Sequence, residues 1–357
     1  MPSHVLNTWE GIEIAPEPGD CSLLKAHILN SVCAGNADHA HYLTQWFAHM
    51  VQRPTEKPGV APVVVGPKGS GKSTVADFVR RAIGRKHSVK IAQAKHLVSN
   101  FNAHLAGMLF CQAEEVTFGA DRKGEGPLKD VITAKTALTE KKGLDAYQET
   151  NFTRFFLVSN DGHVVPASDG ERRWFVLYTH DLFAGRPMND PERIAYFNAL
   201  NDEADAGGIA AFLDYLMTYD LTGFTPYAAP DTDALSDQKL QGLSDEDLWV
   251  YGVLQTGAFD DKDGVELGDE WELDEPLEID QAIVRSSYAS HVKRYGGSSG
   301  GAGVALKALL RHGEVTEVRR GPRGSRKRFY QFAARRGWQD RFSSRFGIGF
   351  TVEREAD

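Results

Sequence analysis

Residues 66–74, GPKGSGKST, constrain the fold of this chain more than any other part of its sequence. They match the pattern GxxxxGK[ST] and stand between a β-branched run at 63–65 and a stretch with helical spacing that starts at Val75. In that context the glycines permit a tight turn with inward-pointing backbone N–H groups, and the start of the helix adds partial positive charge. We therefore expect a strand, a phosphate-binding loop (P-loop) and a helix, an arrangement of α/β proteins.

The loop also carries side chains suited to a nucleotide and its metal ion. Lys72 is expected to reach the β- and γ-phosphates, and the hydroxyl of Ser73 is expected to hold Mg²⁺. ATP and Mg²⁺ are the cofactors that this pattern predicts. The residues expected to surround the nucleotide are Gly66, Pro67, Lys68, Gly69, Ser70, Gly71, Lys72, Ser73 and Thr74.

Nucleotide hydrolysis also needs carboxylates, and an apolar run at 108–111 is soon followed by Glu114 and Glu115. Glu114 can hold Mg²⁺ through water while Glu115 polarises the attacking water. A second apolar run at 154–159 ends at Asn160, whose amide can bond the γ-phosphate and the water if its strand lies beside the P-loop strand. The simpler interpretations are a solvated strand edge for the glutamates and a turn residue for the asparagine.

Arg172 and Arg173 directly precede a further apolar run at 174–178. A guanidinium at this position can reach the γ-phosphate held by a neighbouring subunit and stabilise its transition state, as an arginine finger does. A surface salt bridge is the simpler alternative.

Strand and helix patterns alternate from residue 63 to residue 178, which predicts a parallel sheet with helices on both faces. Apolar residues at helical spacing from Cys21 to Val51 predict an N-terminal helical segment. The predicted organisation is an arm and helical segment at 1–55, a P-loop ATPase domain at 56–230, an acidic connecting segment at 231–280 and a basic domain at 281–357.

The net charge of −9 conceals an asymmetry, because residues 281–357 hold 16 Lys and Arg against 6 Asp and Glu. Residues 231–280 hold 17 acidic residues against 2 lysines. A basic end suggests nucleic-acid contact, and a basic module beside an acidic solubilising surface is the alternative. The order helix, helix, strand, Gly-Pro turn, strand predicts a winged-helix-like module, whose basic turn carries the candidate DNA contacts Arg326, Lys327 and Arg328.

Cysteine usage and hydropathy indicate the compartment. Cys21, Cys33 and Cys111 show no CxxC spacing, so neither a zinc cluster nor a disulfide framework is expected, and a reducing compartment fits. No apolar run approaches the ~20 residues of a membrane helix, and the first residues lack the pattern of a signal peptide. These features predict a cytoplasmic protein with no membrane partner.

Together the motifs resemble those of superfamily 3 helicases, and more narrowly the helicase part of phage and plasmid primase-helicases, which are related to poxvirus-type enzymes. The segments FNAHLAG, EGPLKDVIT, PASDGERRW and PDTDALSDQK fit that family, as does a lysine pair followed by Gly143. The resemblance covers roughly residues 40–240. It implies an AAA+ type ATPase that forms a ring, usually a hexamer, and translocates along single-stranded or forked DNA in the replication of a phage, plasmid or other mobile element.

The resemblance also carries the family's functional roles onto positions of this chain. The acidic pair falls on Glu114 and Glu115, and the polar sensor falls on Asn160. The arginine finger falls on Arg172 or Arg173, and the DNA-gripping hairpin carries Lys141 and Lys142. Relatives in the phage group often have Asp-Glu in place of the Glu-Glu pair. No primase domain is expected ahead of residue 40, so a separate primase or loader is an expected partner.

Other functions remain open at this point, among them a packaging motor and a transport ATPase. The chain can be an AAA+ DNA-binding replication or regulatory ATPase that does not unwind DNA, and unwinding of a forked duplex separates this from a helicase. It can also be a small-molecule kinase on a P-loop scaffold, which predicts an arginine-rich lid and an acceptor pocket. The basic C-terminal module and Asn160 count against the kinase.

Overall fold

The computed structural model describes residues 9–93, 96–99, 102–117, 122–143, 145–160, 162–167, 171–260, 264–295 and 302–350. The start of the FNAHLAG segment and the centre of PASDGERRW lie outside these ranges. The chain forms two compact units. The first runs to Ala167 and resumes from Glu171 to Gln238, and the second begins at Lys239.

A five-stranded parallel sheet forms the centre of the first unit. In chain order the strands of this unit are β1 (Ala61–Val65), β2 (Ser88–Ile91), β3 (Phe110–Ala113), β4 (Thr136–Thr139), β5 (Tyr147–Thr150), β6 (Arg154–Ser159) and β7 (Trp174–Tyr178). The order in the sheet is β2-β3-β6-β1-β7, and β4 and β5 form a separate hairpin. The strand that precedes Asn160 therefore lies directly beside the P-loop strand, on the side of β3.

The helices of this unit are α1 (Ser22–His27), α2 (Ala37–Gln52), α3 (Lys72–Ile83), α4 (Arg122–Thr133), α5 (Pro191–Glu203) and α6 (Ile209–Thr218). α1 continues as a π-helical turn, Ile28–Val32. The side chain of Asn36 caps α2 by accepting a bond from the His39 N–H. Asp190 caps α5 in the same way, and Pro191 occupies the first helical turn, where its missing N–H costs nothing.

Helices cover the sheet on both faces, because alternate side chains of β1 belong to different apolar clusters. Val64 lies in a cluster with Phe47 of α2 and Val75 of α3, and Val63 lies in a second cluster with Leu128 of α4. All of β1 is buried, as expected for an interior strand of a covered parallel sheet. The predicted α/β fold, with its parallel sheet, helices on both faces and N-terminal helical segment, is confirmed.

The β4–β5 hairpin is antiparallel, and the turn between its strands contains Lys141 and Lys142. Gly143 in this turn has a φ of 83°, a left-handed conformation that favours glycine. The sequence predicts the turn but not the strands. TALT and YQET show little apolar alternation, and their side chains are mostly exposed, so the usual strand signal is missing.

The second unit contains a three-stranded antiparallel sheet of order β8-β10-β9. With the helix that leads into it, its elements are α7 (Asp233–Gln241), α8 (Asp245–Thr256), β8 (Leu277–Asp280), α9 (Gln281–Tyr295), α10 (Ala302–Leu310), β9 (Val315–Arg320), β10 (Lys327–Phe332) and α11 (Arg335–Phe346). The order helix, strand, helix, helix, strand, strand agrees with the predicted winged-helix-like module, and the β9–β10 turn is its wing.

Residues 231–280, predicted as an acidic connecting segment, contain α7, α8 and β8. Acidic residues do not oppose the start of a helix, since they complement the positive end of its dipole. Ser244 caps α8 by accepting a bond from Asp247 N, and acidic residues fill the first turn. Further along this helix, the side chains of Trp249 and Val253 are buried in the core of the second unit. Within the described ranges, every helix is too short or too polar to cross a bilayer.

Candidate nucleotide-binding site

The predicted nucleotide-binding residues meet at one edge of the sheet. The loop after β1, Asn160 after β6 and the Glu114–Glu115 pair after β3 lie at the carboxyl ends of adjacent parallel strands, where open α/β sheets bind ligands. They line a cavity of about 620 Å³. This volume lies within the range of ~300–1,000 Å³ that is usual for small-molecule sites.

The P-loop glycines are required by its backbone geometry. Gly69 and Gly71 have φ values of 83° and 86°, in the left-handed region that disfavours other residues. At Gly66 a Cβ atom would lie 2.0 Å from Oγ1 of Thr179, the residue after β7, so a side chain cannot fit. The N–H groups at the very start of a helix lack partners within it, and those of Lys72 and Ser73 occupy this position in α3, where an anion can accept from them. The loop therefore fits a phosphate group.

Lys72 is held at the centre of the loop. Its Nζ donates to Gly66 O at 2.7 Å, to Pro67 O at 2.6 Å and to Asn160 Oδ1 at 3.0 Å. An ammonium group has three donors, and these acceptors use all of them. The pKa of Lys72 is lowered by burial, and the nearby carboxylates of Glu114 and Asp181 offset only part of this shift.

The predicted metal ligands lie next to each other. Ser73 Oγ donates to Glu114 Oε2 at 2.9 Å, and the other oxygen of Glu114 accepts from Gln112 Nε2 at 2.6 Å and lies 3.2 Å from Lys90 Nζ. Hydroxyl and carboxylate oxygens suit Mg²⁺, which is usually held by one or two protein ligands together with phosphate oxygens and water. Among the described residues no group of three or more His, Cys, Asp or Glu could hold a metal ion by itself. The residues present therefore fit a Mg²⁺ ion that arrives with a nucleotide.

Glu115 differs from Glu114 in its surroundings. Its side chain is exposed at the cavity, and its φ is 52°, an uncommon value for a residue with a side chain. Such conformations are held in place by surrounding structure and cluster at functional sites. The backbone turn directs Glu114 and Glu115 differently, one toward Ser73 and the other into the open cavity.

Arg172 and Arg173 lie at the opposite edge of the sheet from the P-loop of the same chain. They precede β7, whose first residue pairs with the first residue of β1, so a strand length of about 15 Å separates them from that loop. Arg173 Nη1 contacts Glu171 Oε1 at 3.2 Å, whereas Arg172 is exposed. The structure thus does not bring these arginines to the site of their own chain.

The predicted DNA contacts all lie at the surface. Lys141 and Lys142 are exposed in the β4–β5 turn of the first unit. In the second unit Arg326, Lys327 and Arg328 are exposed at the wing, and Lys327 Nζ is 3.7 Å from Asp280 Oδ2.

Arg193 is a cavity residue that the sequence did not single out. It belongs to the first turn of α5, it is buried, and its Nη2 donates to both carboxylate oxygens of Asp181 at 2.9 Å. Met188, Ile194 and Phe197 make the cavity wall near it apolar. No local motif marks this arginine, because its position depends on how α5 packs against the P-loop.

The N-terminal helical segment supports the P-loop from behind, which the sequence also did not indicate. Ser31 Oγ donates to Ser70 O at 2.8 Å, and His27 Nε2 lies 3.0 Å from Gly71 O. Nδ1 of His27 lies 2.9 Å from the hydroxyl of Tyr196 in α5. Burial lowers the pKa of His27, so the neutral ring can donate from Nε2 and accept at Nδ1. These contacts hold the carbonyl groups of Ser70 and Gly71 in place.

Comparison with known proteins gives one family profile and one phage protein. A family described as "Family of unknown function (DUF5906)" matches residues 64–173. The DNA primase-polymerase of Nitratiruptor phage NrS-1 is 28% identical over 172 residues, which make up 47% of this chain. The chain covers only 23% of the length of that protein.

Solved structures extend the likeness over most of the chain. Two apo structures of the NrS-1 C-terminal region match with TM-scores of 0.63 and 0.59, at 18% and 19% identity. Each match covers 90% of this chain and 77% of that region. At this identity the match shows a shared fold. The chain thus has the mixed α/β fold of the NrS-1 C-terminal region and is similar in sequence to part of a phage DNA primase-polymerase.

Proposed function

We propose that this chain is a Mg²⁺-dependent ATP hydrolase of superfamily 3 that uses hydrolysis to unwind DNA as a ring, in the replication of a phage, plasmid or other mobile element. The observation that carries the proposal is the meeting of Lys72, Ser73, Glu114, Glu115 and Asn160 around one cavity at the carboxyl edge of the sheet. The name of the NrS-1 relative, a DNA primase-polymerase, supports a role in replication. A separate primase or loader is the expected partner, and the cytoplasm is the expected compartment.

Each of these side chains has a distinct part in the proposed reaction. Lys72 offsets phosphate charge, and Ser73 and Glu114 are the groups that would hold Mg²⁺, which supplies further charge neutralisation when bound. Glu115 accepts the proton of the attacking water. Asn160 already bonds Lys72 and can position both the γ-phosphate and the water. The apolar wall at Ile194 and Phe197 leaves room for the base and sugar of a nucleotide.

The winged-helix-like unit favours a second candidate function. Modules of this type commonly bind DNA, so the chain can be a DNA-binding regulatory ATPase that does not unwind its substrate. ATPase activity measured with and without single-stranded DNA, on protein sized by light scattering, tests the shared part of both functions. No hydrolysis in either condition would contradict both. Unwinding of a forked duplex supports the helicase, and DNA-stimulated hydrolysis without unwinding supports the regulator.

Arg172 and Arg173 lie far from the P-loop of their own chain, which leads to a prediction that they act on the site of a neighbouring subunit. If these arginines complete the site of a neighbouring subunit, an Arg172→Ala/Arg173→Ala variant should lose roughly 10³-fold in turnover. Mixing this variant with inactive Lys72→Ala protein should restore part of the ATPase rate, because some interfaces then combine an intact loop with an intact finger. ATPase rates of mixed rings that exchange subunits measure the rescue.

A matched control is a mixture of Lys72→Ala with Glu115→Gln protein. Both changes affect the same side of the interface, so no combination of subunits regenerates a complete site. Rescue in the first mixture and none in the second is the expected result. Equal rates in the two mixtures would show that the arginines do not act in trans.

The exposed β4–β5 turn gives a prediction about coupling. Replacing Lys141 and Lys142 with alanine should abolish unwinding and leave the ATPase rate without DNA nearly unchanged, because the turn is not among the residues that line the nucleotide cavity. Replacing Arg326, Lys327 and Arg328 should weaken DNA binding without uncoupling hydrolysis. Helicase rates on a forked substrate at saturating DNA distinguish the two variants. Normal unwinding by the Lys141→Ala/Lys142→Ala protein would contradict the hairpin assignment.

A further inference from the structure

A cleft in the second unit brings three arginines together. Arg311 follows α10, Arg341 and Arg345 lie on α11, and together they line a cavity of about 280 Å³. His312 and Glu314 also belong to its lining. We call this group, defined by Arg311, Arg341 and Arg345, the arginine cleft. It was not among the DNA contacts that the sequence suggested.

The positive charge of the cleft is only partly balanced within the protein. Asp247 accepts from His312 Nε2 at 2.9 Å and from Ser244 Oγ at 2.7 Å, and lies 3.5 Å from Arg311 Nη1. Burial opposes ionisation of Asp247, but these bonds lower its pKa, so it is an anion. Its charge is therefore already shared between His312 and Arg311.

Arg341 and Arg345 have no such partner among the residues that the structure describes. Neither guanidinium lies within 4.0 Å of a carboxylate of the described residues, although Arg345 Nη1 donates to Arg311 O at 3.1 Å. The two arginines are four positions apart on one helix, where like charges face and repel each other. Arg336, on the same helix, differs because it makes a two-bond ion pair with Asp274 at 2.6 and 2.8 Å.

We propose that the arginine cleft binds a phosphate of the DNA backbone. The planar guanidinium group bonds phosphate oxygens in pairs, and guanidiniums that converge on a cavity present a site for an oxyanion. Arg311 already shares the carboxylate of Asp247, so Arg341 and Arg345 supply most of the uncompensated charge. Glu314 in the lining is outnumbered by the three arginines. The inference rests on DNA as the partner of this chain, and it is independent of whether the chain hydrolyses ATP.

The cleft and the wing are separate contact points. Arg311 and His312 lie a few residues before β9, and the wing turn with Arg326 follows its other end. A strand of six residues spans about 20 Å. Successive phosphates of one strand in a duplex are spaced by about 3.4 Å along the helix axis. On a duplex, contact with both points therefore needs a segment of about six base pairs.

The test measures DNA affinity of the full chain as a function of salt, by anisotropy of a labelled 20-nucleotide oligo(dT) strand and of a 20-base-pair duplex. Arg341→Gln and Arg345→Gln should each reduce the slope of log K against log salt by about one unit. Arg336→Gln is the matched control, because it removes one exposed charge from the same helix at an arginine that is already paired. It should leave the slope nearly unchanged.

One further variant and one further measurement keep the test independent of folding. Arg341→Lys/Arg345→Lys retains both charges and should preserve the salt slope, and a thermal melt of every variant shows whether the protein is still folded. A loss on the single strand or on the duplex supports the cleft and identifies the DNA form that it contacts. Wild-type slopes for both glutamine variants on both probes, or an equal loss for Arg336→Gln, would overturn it. No salt-dependent DNA binding by the wild-type chain would overturn both the cleft and the proposed function.

Discussion

Lys72→Ala protein should have no measurable nucleotide hydrolysis, a loss of at least ~100-fold, which is the effect of removing one well-placed charge-stabilising group. Lys72 Nζ sits among Gly66 O, Pro67 O and Asn160 Oδ1, at the point where the loop is proposed to enclose a phosphate. Alanine removes the ammonium and leaves these oxygens facing the phosphate charge. ATP binding should weaken by about 2 kcal/mol, or roughly 30-fold in Kd. Turnover assays and calorimetric titration with ATP measure the two effects.

Lys86→Ala is a suitable control for this variant. Lys86 is an exposed lysine that pairs with Glu10, and it does not line the cavity, so its loss changes the net charge equally without touching the loop. It should hydrolyse ATP at the wild-type rate. If Lys72→Ala protein does the same, the cavity at the carboxyl edge of the sheet is not the site of hydrolysis.

Glu115→Gln protein should bind ATP with wild-type affinity and lose ~10²–10⁴-fold in turnover, the range for removal of a general base. The amide has nearly the shape of the carboxylate but cannot accept the proton of water. Because the side chain of Glu115 is exposed at the cavity, the substitution should leave the fold unchanged. Single-turnover hydrolysis, measured at ATP concentrations that saturate the protein, separates this loss from any change in binding.

The neighbouring variant Glu114→Gln should behave differently. Glu114 contacts Ser73, Gln112 and Lys90, so its change should weaken the hold on Mg²⁺ and raise the Mg²⁺ concentration needed for half-maximal activity. Excess Mg²⁺ should then restore part of the rate in Glu114→Gln but not in Glu115→Gln. A wild-type rate for Glu115→Gln, or rescue of both variants by Mg²⁺, would contradict the division of roles between the two glutamates.

The sequence predicted those parts of the site that depend on neighbouring residues along the chain. The conformation of residues 66–74 follows from its glycines, whose left-handed φ values are local properties of the backbone. The strands that precede Glu114 and Asn160 are short and buried, and strands of this kind can be predicted from the sequence as apolar segments. Strands β4 and β5 were missed because exposed polar strands carry little hydrophobic pattern.

Contacts between distant parts of the chain could not be obtained in that way. Ser31 and Ser70 are 39 positions apart, His27 and Gly71 are 44 apart, and each pair meets only because the N-terminal helices pack behind the P-loop. The same is true of the arginine cleft, where Arg311 and Arg345 are 34 positions apart. The residues next to a side chain in the sequence do not indicate which helix or strand will pack against it in the fold.

The sequence by itself determined the P-loop, the apolar strands and the parallel α/β class, because these follow from local backbone preference and from the pattern of buried residues. The tertiary structure alone decided that β6 lies between β1 and β3, which brings Asn160 to Lys72, and that Arg172 lies a strand length from the loop of its own chain. The order of strands in a sheet is set by how helices and strands pack over the whole unit. That packing energy is summed over many distant contacts, and no single segment of the chain contains it.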